Sequence, residues 1–164
     1  MMIQTIFLDV DGTLTNGSLI YGNGIELKSF NVKDGLILKA LPFIGISVIL
    51  LTGRQSEAVT FRASELNAIA MQNIEDKVTQ VHKIVSGRGI SVDQTAYIGD
   101  DLNDYGAMKL CKWKACPADA SVEVKAIVDY VSPYNGGYGA VRNCIEILLH
   151  EINKYDLFLS CFYK

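Results

Sequence analysis

The chain has 164 residues, 49% of them hydrophobic and 20% charged, with a formal net charge of −3. That length and composition suit one domain, residues 1–164, with a buried core, and they exclude a disordered chain. The acidic balance, without a long basic run, excludes a nucleic-acid surface, and the longest apolar run, Ile44 to Leu51, excludes a bilayer span.

Met1-Met2-Ile3-Gln4-Thr5 leads straight into a strand, with no charged leader or cleavage site. Cys111, Cys116, Cys144 and Cys161 form no CxxC pair and no metal-ligand spacing with His82 or His150. Reduced thiols in a cytoplasmic protein are therefore expected.

In chain order, Ile3 to Leu8 is a first strand, rich in β-branched and aromatic residues. Ser18 to Tyr21 and Glu26 to Phe30 flank Gly22-Asn23-Gly24 and form a β-hairpin. Asp34 to Phe43 is helical, with Pro42 near its end. Ile46 to Leu51 is a strand, Ser56 to Leu66 a helix, and Ala68 to Met71 a short strand. Asp76 to Ser86 is a helix with Val78, Val81, Ile84 and Val85 on one face, ended by Gly87-Arg88-Gly89. Gln94 to Ile98 and Trp113 to Ala115 are strands around a helix from Asn103 to Leu110. Val122 to Val128 is helical, Tyr130-Val131 begins a last strand, and Gly139 to Ile152 is a C-terminal helix. Strands separated by helices predict an α/β fold, a mainly parallel sheet with helices on both faces.

Ligands of open α/β sheets bind beyond the carboxyl ends of the strands. The first strand ends at Asp9-Val10-Asp11-Gly12-Thr13, the second long strand at Thr52-Gly53-Arg54, and a later one at Gly99-Asp100-Asp101, with Asp104 following. Lys77 begins the helix after Met71, so these groups share one rim. A carboxylate that attacks a phosphate monoester brings two anions together, a repulsion of about 1 kcal/mol at 4 Å in water and more in a dry site. A divalent cation removes that penalty, and magnesium suits Asp9, Asp100, phosphate oxygen and water. Asp9 is then the nucleophile, and Asp11 protonates the leaving oxygen and later activates water. Gly12 lets the chain turn beside the ligand. The Thr52 hydroxyl, the Gly53 N–H and Lys77 at a helix N-terminus hold phosphate oxygens. Asp101 and Asp104 orient the metal, its waters or Lys77 rather than bind the ion. An aspartate pair or a Thr-Gly step alone also fits a helix cap or a turn; their joint order is the signal.

These motifs resemble the haloacid dehalogenase superfamily. Asp9 to Thr13 matches its first motif, Thr52 its second, Lys77 its third, and Gly99-Asp100-Asp101-Leu102-Asn103-Asp104 its fourth. The resemblance implies a Rossmann-like three-layer sandwich, an aspartyl-phosphate on Asp9, and magnesium held by Asp9, Asp100 and the Asp11 carbonyl. The second aspartate, Asp11, marks phosphoryl transfer rather than dehalogenation in that superfamily.

The stretch Leu27 to Gly35, Thr52-Gly53-Arg54, Asp76-Lys77 and Gly136 to Arg142 further resembles the 3-deoxy-D-manno-octulosonate 8-phosphate phosphatases. That cap-less branch also includes nonulosonate 9-phosphate phosphatases and domains attached to acylneuraminate cytidylyltransferases, so both remain alternatives. The resemblance implies a homotetramer whose subunits cover each other's sites, and the chain lacks room for a cap. The hairpin is the expected oligomer element, since an isolated ribbon is marginal alone. A sugar acid brings a carboxylate as well as a phosphate. Arg54 and Arg62, read as lying on one helix, and Lys33 and Arg142 are the candidate cations for it. The apolar tail, Leu157 to Lys164, either docks on a neighbour or packs on its own chain.

Overall fold

The computed structural model describes residues 2–163. Strand β1 (Thr5–Leu8) is followed by the ribbon strands β2 (Ile20–Gly22) and β3 (Ile25–Leu27), helix α1 (Val32–Ala40) and strand β4 (Ser47–Leu51). Then come α2 (Glu57–Glu65), β5 (Ile69–Met71), α3 (Lys77–Arg88), β6 (Thr95–Ile98), α4 (Leu102–Leu110) and β7 (Trp113–Cys116). The chain finishes with α5 (Val122–Lys125), β8 (Tyr130–Val131), α6 (Ala140–Glu151) and α7 (Tyr155–Ser160).

Six strands form one parallel sheet in the order β5-β4-β1-β6-β7-β8, while β2 and β3 pair antiparallel as a separate ribbon. The period of two along each strand sends its side chains alternately to two cores. Ile6, Leu8, Val48, Leu50, Ala96 and Ile98 pack under α1, α2, α6 and α7. Phe7, Ile49, Leu51, Tyr97 and Cys116 pack against α3, α4 and α5. The result is the expected Rossmann-like three-layer sandwich, with the hairpin and no cap domain between β1 and β4. Connections leave β1 toward β4 and leave β6 toward β7, so the sheet changes winding direction between β1 and β6. Leu8 is in register with both Leu50 and Ile98, which brings the segments after β1, β4 and β6 out on one rim.

Several boundaries differ from the sequence reading. Helix α1 starts at Val32 because the Asn31 side chain caps it, accepting from the Lys33 N–H at 2.8 Å. It stops at Ala40, and Pro42 sits in a 3-10 turn over Leu41–Ile44. Helix α3 runs through Gly87 and Arg88, and only Gly89, at φ 64°, ends it. Helix α5 ends at Lys125 rather than continuing to Val128. The Asp129 N–H donates to the Lys114 carbonyl and its side chain accepts from the Lys114 N–H, which draws the chain into β8.

The tail forms α7, with Phe158 buried and Lys154 Nζ donating to the Ile44 carbonyl at 3.0 Å, so it packs on its own chain. Lys164 lies outside the described residues. All four cysteines are free. Among the described residues, no helix is long and apolar enough to cross a membrane.

Candidate active site

Where β1 ends, residues Val10 to Leu14 form a single wide turn interrupted by non-helical Asp11 and Gly12. Gly12 has φ 103°, and a Cβ there would lie 2.1 Å from Asp100 Oδ2, so only glycine admits that carboxylate. Thr13 Oγ1 donates to Asp100 Oδ1 at 2.9 Å, joining the loops after β1 and β6. A second close approach seals the turn from above. The Gly137 N–H donates to the Thr13 carbonyl at 3.1 Å, and a Cβ on Gly136 would lie 1.8 Å from the Gly12 carbonyl oxygen.

Lys77, 3% exposed at the start of α3, is the central cation. Its Nζ donates to Asp9 Oδ1 at 2.5 Å and to Asp104 Oδ1 at 2.7 Å. Tyr97, on β6, donates its hydroxyl to the same Asp104 oxygen at 2.8 Å. The other oxygen, Asp104 Oδ2, accepts from the Asp100 N–H at 3.1 Å and the Asp101 N–H at 3.5 Å. Asp101 caps α4 through its own side chain, which accepts from the Leu102 N–H. Both oxygens of Asp104 are thus committed inside the protein. Thr52, 2% exposed at the end of β4, accepts from the Arg54 N–H at 3.2 Å, leaving its hydroxyl proton free to donate.

Burial, then the charge of Asp104, holds the Asp9 carboxyl well above the usual carboxylate range, although Lys77 opposes this. Burial likewise raises Asp100, to about 6. Burial acts to lower Lys77, but Asp9 and Asp104 outweigh it and the ammonium is held above its ordinary value. Burial and Asp104 push Tyr97 well up, so it is a neutral donor. Asp9, Asp100 and Asp104 have carboxylate oxygens within 4.8 Å of one another, with one lysine among them. This uncompensated negative charge fits a divalent cation. With Asp104 already committed, Asp9 and Asp100 are the carboxylates free to ligate it, a number and type of donor that suits magnesium.

Asp11 takes its partners from the ribbon side of the rim. It pairs with Lys28 from the segment after β3, and Arg54 Nε lies 4.0 Å from its Oδ2. Lys28 also pairs with Glu26 Oε1 at 2.9 Å, and Arg54 donates to Glu26 Oε2 at 2.5 Å and to the Tyr21 hydroxyl at 3.1 Å. The ribbon therefore sits over the rim through a chain of ion pairs.

Of the four candidate sugar-acid cations, the structure brings only Arg54 to Asp11. Arg54 precedes α2, so it and Arg62 do not share a helix. Arg62 donates to the Asn31 carbonyl, pairs with Glu65 and lies over the Phe30 ring, bracing α2 against α1. Lys33 and Arg142 line a separate cavity of about 270 Å³ with Tyr134, Tyr138, Gly139, Asn143 and Glu146. The sequence reading missed the parts played by Tyr97, Glu26 and Lys28. Tyr97 reads as a core aromatic, and the ribbon reads as an oligomer element rather than as part of the site.

A family model described as haloacid dehalogenase-like hydrolase matches residues 68–145. The 3-deoxy-D-manno-octulosonate 8-phosphate phosphatase of Haemophilus influenzae is 37% identical over 158 residues, covering 95% of this chain and 88% of that protein. The corresponding phosphatase of Salmonella typhi is 35% identical over 94% of this chain and 83% of its own length. A crystal structure of such a phosphatase from Moraxella catarrhalis, in complex with a magnesium ion, a phosphate ion and a KDO molecule, has a TM-score of 0.92. It is 38% identical, over 98% of this chain and 93% of that one. The cobalt-bound form from Haemophilus influenzae has a TM-score of 0.91 and 36% identity, over 99% of this chain and 97% of that one. Fold and site together define a haloacid dehalogenase-like hydrolase. Within that class, the chain belongs to the family of 3-deoxy-D-manno-octulosonate 8-phosphate phosphatases.

Proposed function

We propose that this chain is a single-domain, magnesium-dependent phosphatase that hydrolyses 3-deoxy-D-manno-octulosonate 8-phosphate through a phosphorylated Asp9. The observation that carries the reading is the position of Asp9. It is buried on the rim at the winding switch, one oxygen is held by Lys77, and Asp100 lies alongside. An Asp9 oxygen attacks phosphorus, the bond from phosphorus to the sugar oxygen breaks, and Asp11 gives that oxygen its proton. Asp11, now ionised, takes a proton from water as the water oxygen attacks the phosphorylated Asp9. The phosphorus–Asp9 bond then breaks, and inorganic phosphate and the free carboxylate result. The Thr52 hydroxyl, the Gly53 N–H and Lys77 hold the phosphate oxygens. Magnesium, held by Asp9, Asp100 and the Asp11 carbonyl, supplies the positive charge that lets the two anions meet. Asp101 and Asp104 keep these groups in place.

Arg54 is the cation assigned to the substrate carboxylate, because it reaches the rim beside Asp11. A cytoplasmic homotetramer completes the reading. Ile20, Tyr21, Ile25 and Leu27 leave an exposed apolar ribbon that another subunit would cover, which light scattering in solution tests.

The deciding experiment is phosphate release from the octulosonate 8-phosphate, nonulosonate 9-phosphates and hexose phosphates, with magnesium and with chelator. Magnesium-dependent preference for the octulosonate ester is expected. Preference for a nonulosonate ester would move the substrate, and no release by folded, metal-loaded protein would move the function to a regulatory domain of a cytidylyltransferase system.

A further inference from the structure

The ribbon is mostly open to solvent, with Tyr21 65%, Ile25 61% and Leu27 54% exposed. One side chain behaves differently. Lys28 folds beneath the ribbon until its side chain is only 1% exposed. An ammonium withdrawn from water needs charged acceptors, and those of Lys28 are Asp11 and Glu26. The other rim carboxylates are served from within the sheet and its helices, by Lys77, Tyr97 and Thr13. Asp11 alone takes its hydrogen bond from the ribbon.

The geometry points to Lys28 as a positioning residue that fixes the Asp11 carboxyl beside the leaving oxygen. Three ammonium donors on a flexible stem can hold two carboxylates at once. Glu26, itself held by Arg54, restrains the ammonium from the far side. The acid–base group is thus aimed by an element outside the sheet. A misplacement of about 1 Å in such a group can cost about a hundredfold in rate. The inference rests on the assignment of Asp11 as acid and base made above.

The test compares two esters. A sugar phosphate leaves as an alkoxide and needs the proton, whereas p-nitrophenyl phosphate leaves as a stabilised phenolate and needs it far less. For either ester, kcat/KM reports only the steps through phosphorylation of Asp9. Lys28→Met is expected to lower the ratio of kcat/KM for the sugar ester to that for the phenyl ester by about thirtyfold, a part of the roughly 10²–10⁴-fold that a whole acid–base contribution supplies. Asp11→Asn should collapse the same ratio, and adding Lys28→Met to it should change the ratio less than about twofold. Lys28→Arg, which keeps charge and donors, should restore part of the ratio. Lys28→Gln carries the same comparison if the methionine variant does not fold.

Equal losses on both esters in the Lys28 variants, with the Asp11→Asn collapse present, would overturn the role of Lys28. So would additive losses in the double variant. An unchanged ratio in Asp11→Asn would overturn the assignment of Asp11 itself.

Discussion

The centre around Lys77 and the ribbon around Lys28 each bury one ammonium between two carboxylates, yet they are built in opposite ways. Lys77, Asp104 and Tyr97 sit on α3, α4 and β6, and Asp9 directly follows β1, all elements that pack a face into the apolar core. Tyr21 and Glu26 hang from two three-residue strands that pair with each other, and Lys28 follows directly after the second. The centre is held by the core, whereas ion pairs hold the ribbon to the domain. The hydrogen bond from Arg54, then that from Lys28, keeps the Glu26 carboxyl below the usual carboxylate range. Of these links only the one through Arg54, whose side chain is 42% exposed, is open to screening by salt, whereas the Lys28 ammonium is withdrawn from water. The comparison separates a rigid end of the rim, held by the core, from an end held by side-chain ion pairs.

The sharpest break comes at the rigid end. Asp9→Asn should lower phosphate release at least about a thousandfold while the melting curve stays cooperative. Normal turnover by the folded variant would remove the nucleophile from Asp9. Lys77→Met leaves Asp9 and Asp104 buried without their cation, and it should cost about 3–5 kcal/mol in denaturant unfolding. A loss below about 1 kcal/mol would mean that the centre is no more fixed than the ribbon. Tyr97→Phe removes one donor from Asp104 and should cost about 1–3 kcal/mol, read the same way.

Linkage gives the next effect. Asp100 is held at about 6 rather than 3.8, and Asp9 is raised too, so the folded chain without metal binds more protons than the unfolded chain. Its stability should therefore fall as pH rises from 3.8 to about 6. Added magnesium relieves the same repulsion, so it should raise the melting temperature more at pH 7 than at pH 5. An equal rise at both would disconnect the metal from these carboxylates. The smallest effect belongs to the ribbon. Arg54→Ala, with a side chain 42% exposed, should cost less than about 1 kcal/mol in stability, yet impair the sugar-acid ester more than p-nitrophenyl phosphate.

The rigid end was legible in the sequence because strand ends declare themselves. An apolar run followed by Asp9, Thr52 or Asp100 places each residue on the rim without any knowledge of packing, and Lys77 follows from its helix start. The sheet and its layers were legible for the same reason, through the alternation of short apolar runs and helical periods. What was hidden depends on contacts between distant elements. Tyr97 has a hydroxyl that matters only because Asp104 comes back beneath it. Lys28 alternates with exposed neighbours, and nothing local says that it turns inward. Arg62 drew attention as a cation near Arg54, but the Asn31 carbonyl and the Phe30 ring claim it. The overlong reading of α5 failed for a similar reason, since Asp129 is pulled straight by Lys114, a residue on another strand.

The seal of Gly136 and Gly137 over the first loop has a consequence for the way the protein is made. β1 is made before its two sheet neighbours, β4 and β6, which follow it after long intervals of chain. Its carboxylates have no metal site before Asp100 is out, and the turn that carries Asp11 has no roof before Gly137 arrives. The growing chain therefore carries β1, buried along its whole length in the fold, with one edge open until β4 is made and the other open until β6 is made. The loop after β1 is closed only once Gly136 and Gly137 have been made, more than a hundred residues after the turn they cover.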